Sequence, residues 1–388
     1  MTAPPDCDVL IVGAGISGLG MAAHLKRRCP EKSFAILERR QAIGGTWDLF
    51  RYPGVRSDSD MFSLGYSFAP WRDEKSIAEG SAIRAYLERV VEEEALAPHI
   101  RLGCHVLAAD WDGAEALWTL TVAAPDGARQ QMRARFLILG SGYYDYDEPH
   151  DPPFAGREDF RGQVVHPQFW PEDLDYAGKQ VVVIGSGATA ATLVPALAEQ
   201  AAHVTMLQRT PSWYFAQPAV DRTANLLRRL LPERLAYALT RRKNIRFQDF
   251  SFRKARQNPA GVGGYLKKRV RQELGDAYDR KAFSPPYGPW EQRLCLVPDG
   301  DLFRAIRERK ASIVTGNIAR FEAEGIRLAS GRQLAADVIV TATGLKLAVA
   351  GKIAVSVDGV PVQWNETFYY RNCLFAGVPN LAGVFGYL

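Results

Sequence analysis

The sequence predicts an α/β fold: two Rossmann-like dinucleotide-binding domains with a helical insert, and three observations predict it. An apolar strand enters a glycine-rich turn and a helix near residue 13, and the same pattern returns near residue 185. Between about 216 and 290 the chain becomes leucine-spaced and rich in arginine and lysine. At 388 residues there is room for two or three full cores, and 47% apolar with 23% charged residues is ordinary globular composition. A net charge of +5 favours an anionic ligand but is too small to argue for nucleic acid.

The five cysteines (Cys7, Cys29, Cys104, Cys295, Cys373) are scattered and form no CxxC or CxxxxC pair. Neither a disulfide framework nor a redox dithiol is expected, and a reducing cytoplasm fits. No metal is expected. The apolar start "VLIVGAGISGLGMAAHL" is preceded by Asp6 and Asp8, where a secretory signal would carry basic residues. No run of eighteen apolar residues is present to span a bilayer.

Residues 7–12, "CDVLIV", predict a buried strand, followed by Gly13-Ala-Gly15-Ile-Ser17-Gly18 and the helix-forming "LGMAAHLKRR". A second strand, "SFAILE", ends at Glu38, twenty residues after Gly18. Gly13 permits the tight turn, Gly15 lets a pyrophosphate approach the backbone, and Gly18 lets the helix pack on the strand. The helix N-terminus offers free N–H groups to phosphates, and Glu38 offers acceptors to a ribose diol.

The second copy runs "KQVVVI", then Gly185-Ser186-Gly187-Ala188-Thr189-Ala190, then "ATLVPALAEQ" and the strand "HVTMLQR". Ala190 stands in the third glycine position. This strand ends in Gln208-Arg209-Thr210, with no acid. An acid would repel a 2′-phosphate, whereas a guanidinium binds one as a bidentate fork, so this fold should prefer NADPH over NADH. The opposite strand-end chemistries divide the labour: FAD on the first fold, NADPH on the second. The strands in "RARFLILGSG" (133–142) and "AADVIVTATG" (335–344) read as the two crossings between domains. The expected layout is an FAD domain at 1–149 and 345–388, and an NADPH domain at 150–344 that contains the insert.

In the insert, Leu227, Leu231 and Leu235 recur at helical spacing among many Arg and Lys residues. Two readings stand open: amphipathic helices with solvated basic faces, or weak contact with an acidic membrane surface.

Residues 160–171, "FRGQVVHPQFWP", satisfy the pattern F-x-G-x-x-x-H-x-x-x-W-P through Phe160, Gly162, His166, Trp170 and Pro171. Gly44 to Asp58, "GGTWDLFRYPGVRSD", satisfy [AG]-G-x-W-x(4)-[FY]-P-[GM]-x(3)-D. On these residues the chain resembles class B flavoprotein monooxygenases, and within them the Baeyer–Villiger monooxygenases. It is most similar to the ethionamide-activating branch, which "GGTWDLFRYPGVRSDSDM" and "EQRLCLVP" resemble.

The resemblance implies a glutathione-reductase-like architecture, with FAD and NADPH as cofactors and O2 and a ketone or sulfur compound as substrates. Oxygen would be inserted beside a carbonyl, or onto sulfur, through a C4a-peroxyflavin. Such an anion needs a fixed positive charge that cannot surrender a proton, and arginine meets that need. The family's catalytic arginine falls on Arg293 in "WEQRLCL", and its active-site aspartate falls on Asp58, which would orient the arginine and contact the flavin. The resemblance also places Thr46, Trp47, Asp48 and Leu49 along the flavin, Val106 over the adenine, and Arg56 and Ser57 where flavin meets nicotinamide. It gives His166 to the segment linking the domains; we read the ring as a neutral histidine held by backbone hydrogen bonds, with direct acid–base work as the alternative. Without the motif, "SDSD" at 57–60 reads as a helix N-cap before "MFSLGYSF".

Gln292 stands where many relatives carry a lysine that helps hold the 2′-phosphate, so NADPH preference would rest on Arg209 and Thr210. The chain ends on "NLAGVFGYL", an uncharged stretch that expects burial, whereas the family continues beyond it. Two other functions compete: a flavin-containing monooxygenase confined to nitrogen and sulfur, and a nucleotide-binding remnant without catalysis. A flavoprotein disulfide reductase would need a dithiol that the sequence lacks.

Overall fold

The computed structural model describes residues 4–292 and 294–384. It divides into two compact units: Met1–Leu49, Ser81–Glu148 and Leu345–Leu388 form the first, and Phe50–Gly80 with Pro149–Gly344 the second.

In the first unit, β1 (Cys7–Val12) lies parallel to both β2 (Phe34–Glu38) and the long β6 (Arg129–Leu139). β1 and β2 are apolar along almost their whole length because both faces are covered, as in a central parallel strand. Helix α1 (Ile16–Arg28) connects them, packing its small face of Gly18, Leu19, Gly20, Ala22 and Ala23 inward. Its last turn carries Lys26, Arg27 and Arg28, favourable at the negative end of the helix dipole. β3 (Ile100–Leu102) extends the sheet beyond β2.

β4 (His105–Asp112) and β5 (Leu117–Ala123) form an antiparallel meander into β6, with Trp118 fully buried against Trp111 at 5.6 Å between ring centroids. The Trp118 indole N–H donates to the carbonyls of Pro379 and Asn380, fixing the approach of the strand Leu381–Gly383 to β6. The expected burial of the final apolar stretch holds for Leu381 and Ala382; residues 385–388 lie outside the described residues.

The second unit holds an all-parallel sheet built from β7 (Gln163–Val165), β8 (Gln180–Ile184), β9 (His203–Gln208), β10 (Ala311–Thr315) and β11 (Val338–Thr341). Their spatial order is β10-β9-β8-β11-β7. Helix α2 (Ala188–Leu197) follows β8. One face of this sheet is closed by Phe160, Phe321, Ile326 and Leu334.

The insert contains α3 (Arg222–Leu230), α4 (Glu233–Gln257) and α5 (Pro259–Leu274). Asp221 caps α3 by accepting from the Ala224 amide at 2.9 Å, and Asn258 caps α5 by accepting from Gly261 at 2.9 Å. Leu227, Leu231 and Leu235 do not share a helix. Leu231 closes α3 and Pro232 begins α4, because proline cannot donate to a continuing helix, and Leu235 is left exposed.

The structure also corrects the expected domain layout. Residues 50–80, expected in the first domain, group with the second unit. The Ser76 and Ile77 amides donate to the Ala219 carbonyl at 2.7 and 3.2 Å. Gly54 sits against α2, where an added Cβ would lie 2.9 Å from Ala196 Cβ. Arg241 of α4 donates to the carbonyls of Phe62, Ser63 and Gly65, neutralising the C-terminal end of the short helix Met61–Leu64.

Candidate functional site

Each unit has a glycine turn at a helix N-terminus. In the first, Gly13 has φ +99°, and a Cβ there would lie 2.5 Å from the Gly140 carbonyl oxygen. A Cβ on Gly18 would lie 1.9 Å from the Gly13 carbonyl oxygen, so the helix–strand approach depends on its absence. Gly15 is the N-cap of α1; no side chain caps it, and the first turn contains no acid. Ser17 is half-buried one position before Gly18. The second turn repeats the arrangement: Gly185 has φ +137°, and Gly187 is the uncapped N-cap of α2, again with no acid in the first turn. An added Cβ on Gly187 would meet no atom within 4 Å, leaving the backbone open for a ligand to approach. Ala188 and Thr189 are half-buried, and Ala190 is fully buried. Two helix N-termini without a side-chain cap fit two pyrophosphates.

The strand ends differ as the sequence predicts. Glu38 is buried; its Oε2 accepts from the Ala14 amide at 2.7 Å and its Oε1 from the Arg40 amide at 2.8 Å. Burial raises its pKa, and the two amides oppose that rise. Each oxygen keeps a second acceptor position for a ribose hydroxyl. In the second unit Arg209 is exposed just past β9, and the carbonyl of Thr210 accepts from Ser186 Oγ at 3.1 Å. Gln208 is fully buried and serves the fold, donating to the Ala282 carbonyl at 2.8 Å and to Thr315 Oγ1 at 3.0 Å.

The remaining first-unit candidates surround "GGTWDL". Thr46 Oγ1 lies 3.2 Å from Tyr146 Oη, Trp47 is half-buried and Leu49 is buried. Asp48 commits its carboxylate to Arg40 at 2.6 Å, with Arg84 at 3.8 Å, so its side chain holds the loop. Val106 is a core residue of β4, 3% exposed. Sequence reasoning missed Tyr146, which reaches Thr46 from a hundred residues away. Its position in "GSGYYDYD", after a strand that ends in small residues, is the signal that could have found it.

The second unit gathers Arg56, Ser57, Asp58 and the fingerprint. Arg56 pairs with Asp301 at 2.5 Å, a partner 245 residues away that local spacing could not reveal. Ser57 is buried and clamps Ala78 from both directions: its amide donates to the Ala78 carbonyl at 2.8 Å, and its Oγ accepts from the Ala78 amide at 3.0 Å. Asp58 is exposed, with Ser59 Oγ at 3.4 Å. The N-cap of "SDSD" is Asp60, which accepts from the Ser63 amide at 3.0 Å and from Asn244 and Gln248 of α4. Arg293 lies outside the described residues.

The fingerprint lies wholly within the second unit. It builds β7, which pairs with β11, and a following 3₁₀ turn at Pro167–Phe169. Phe160 is buried edge-on to Phe321 at 6.4 Å. A Cβ on Gly162 would lie 2.2 Å from the Asp337 carbonyl oxygen, which explains the glycine. His166 is buried and caps the turn, its Nδ1 accepting from the Gln168 amide at 3.1 Å. Burial lowers its pKa, keeping the ring neutral at the cap. Trp170 packs edge-on to Tyr176 at 6.4 Å, and Pro171 is exposed.

All five cysteines are free thiols. Among the described residues no cluster of three or more His, Cys, Asp or Glu could hold a metal ion, and no helix is long and apolar enough to cross a membrane.

Two glycine turns, each following a strand with parallel neighbours, define a pyridine-nucleotide flavoprotein class, and residues 10–248 match the family model described as pyridine nucleotide-disulphide oxidoreductase. Over 98% of its length the chain is 51% identical to the FAD-containing monooxygenase EthA of Mycolicibacterium smegmatis, covering 77% of that protein. It is 46% identical to the probable FAD-binding monooxygenase AlmA of Acinetobacter baylyi, again over 98% of this chain and 77% of the relative. The chain belongs to the family of FAD-containing monooxygenases that includes these proteins. Its fold is that of an oxidised steroid monooxygenase bound to NADP, with a TM-score of 0.78 at 23% identity, covering 97% of this chain and 80% of that one. An open cyclohexanone monooxygenase gives 0.78 at 22% identity, covering 98% and 82%.

Proposed function

We propose that this protein is an FAD- and NADPH-dependent Baeyer–Villiger monooxygenase, which inserts one atom of O2 beside a ketone carbonyl to give an ester or lactone and also oxygenates sulfur. The observation that carries the reading is the complete fingerprint, Phe160 to Pro171, on a chain with two uncapped glycine turns and opposite chemistry at their strand ends. The named cofactors of the structural neighbours and the family's FAD-containing members support the cofactor half.

In this reading Gly13 makes the tight turn, its amide donating to the Leu37 carbonyl, the amides at Gly15, Ser17 and Gly18 hold the FAD pyrophosphate, Glu38 the ribose, and Val106 the adenine side. Thr46 to Leu49 shape the flavin pocket, with Asp48 fixed by Arg40 and Arg84. Gly185 to Ala190 hold the NADPH pyrophosphate, and Arg209 with Thr210 takes the 2′-phosphate. Bound flavin supplies the activation of O2. Arg293 provides a permanent positive charge for the oxyanion that develops on the substrate, Asp58 orients that guanidinium, and Arg56 and Ser57 position the nicotinamide.

The test is product analysis with the FAD-loaded protein. For each NADPH and O2 consumed, a simple ketone should gain one oxygen atom and appear as ester or lactone, with NADP+ and water released. Sulfoxide from a thioether without any ester from a ketone would give the protein to the nitrogen- and sulfur-oxygenating class, and protein that purifies without flavin would favour the non-catalytic reading. Arg209→Ala should raise KM for NADPH by about tenfold or more and leave KM for NADH nearly unchanged, since only NADPH loses a charge-assisted fork. Equal loss for both would remove the 2′-phosphate from Arg209.

A further inference from the structure

Residues 222–274 carry fifteen Arg and Lys and three acids, a net +12, whereas the whole chain is +5 and the remainder is therefore −7. The same 53 residues hold nine of the eighteen large apolar side chains that are exposed among the described residues, including Leu230 at 70%, Phe247 at 59% and Phe250 at 58%. Basic charge and exposed apolar surface are thus concentrated in one segment.

Helix α4 sorts them by face. Tyr237, Thr240, Arg241, Asn244 and Gln248 recur at three- and four-residue steps and form the face that packs inward or bonds to residues 60–66. Opposite them Leu235, Leu239, Arg242, Arg246, Phe250 and Arg253 recur at the same steps, and all six are exposed. Among the described residues no carboxylate pairs with Arg242 or Arg246; Asp249 is the one acid on the outer side, and it pairs with Arg253. Apolar groups interleaved every turn with unpaired guanidinium groups suit a surface that accepts both, since long basic side chains can keep their charge at the headgroup level while neighbouring rings enter the acyl boundary. The core of a protein interface is depleted in charge. A symmetric pairing with a second copy would bring two +12 segments together.

We propose that the outer face of α4, with Phe247 at its flank and the exposed Leu226 and Leu230 of α3, docks on an anionic lipid bilayer surface without crossing it. The chain thereby sits at the place where apolar substrates concentrate, though the docking does not depend on which reaction the protein performs.

The test is co-sedimentation of the full FAD-loaded chain with phosphatidylcholine vesicles, with and without phosphatidylglycerol. The protein should pellet with the anionic vesicles only, and high salt should release it. Arg242→Gln with Arg246→Gln should weaken partitioning about thirtyfold, and Phe247→Ser with Phe250→Ser about tenfold, with thermal stability unchanged because all four side chains are exposed. Protein that stays in the supernatant, or that pellets equally with neutral vesicles, overturns the proposal. So does a lipid-free dimer, measured by sedimentation velocity, that the phenylalanine variants dissociate, because the face then belongs to a second copy.

Discussion

His166 is buried at the cap of the 3₁₀ turn Pro167–Phe169, and burial holds its pKa below the ordinary value of 6.5, against the opposing pull of Asp151 and the Gly344 backbone. A depressed folded-state pKa means that the unfolded chain binds the proton more tightly. The stability from neutral His166 is therefore present above the unfolded value and is lost as pH falls through the folded one. Asparagine can offer an oxygen to the Gln168 amide without titrating. His166→Asn should flatten the decline of Tm between neutral and mildly acidic pH, in a difference measurement against the parent protein. A parallel decline in both proteins would take the pH dependence away from this ring. The fingerprint singles out His166. It did not say that the ring caps a turn beside an edge strand, since "QVV" is too short to announce β7 until its partner β11 is known.

At the scale of elements, the short helix Met61–Leu64 and the long α4 are joined through one carboxylate. Asp60 is 6% exposed and accepts from the Ser63 amide at 3.0 Å, Asn244 Nδ2 at 2.9 Å and Gln248 Nε2 at 3.0 Å. Asp60→Ala should cost about 2–4 kcal/mol in urea unfolding, from a lost cap and two side-chain donors stripped of their acceptor, whereas Asp58→Ala at the exposed neighbouring position should cost less than about 0.5 kcal/mol. Equal costs for the two would place the cap at the wrong residue. The string "SDSD" made a cap legible without saying which aspartate supplies it, because the deciding partners lie more than 180 residues away. The glycine turns were readable for the opposite reason. Gly18 meets Gly13 and Ile11 within one strand–turn–helix unit, so local spacing carries its explanation, whereas Gly13 also meets Gly140 on the neighbouring strand's end. Leu227, Leu231 and Leu235 misled because spacing alone ignores Pro232.

At the scale of the whole molecule, the main departure from the sequence reading is segment 50–80, which follows the first nucleotide turn in the chain but packs with the second unit. Periodicity could not reveal this, because many of the ties use the main chain, which every sequence possesses: the Ser76 and Ile77 amides to Ala219, and the carbonyls of Phe62, Ser63 and Gly65 to Arg241. Arg56 with Asp301 adds a pair in which each side chain is only 16% exposed. Without the segment, the 149–344 stretch would leave Asp301 without its cation, and Arg241, Asn244 and Gln248 without their acceptors on residues 60–65, a costly set of losses for partly buried groups. A fragment of residues 149–344 should consequently be less stable than the same region in the full chain. A synthetic peptide of residues 50–80 should raise the fragment's Tm by about 5–10 °C at a hundredfold excess over its Kd, through binding to the folded form alone. A peptide carrying Arg56→Ala should need a higher concentration for the same rise. If the fragment melts at one temperature with or without peptide, segment 50–80 is a passenger on the second unit, and the half-buried Arg56–Asp301 pair does not hold it there.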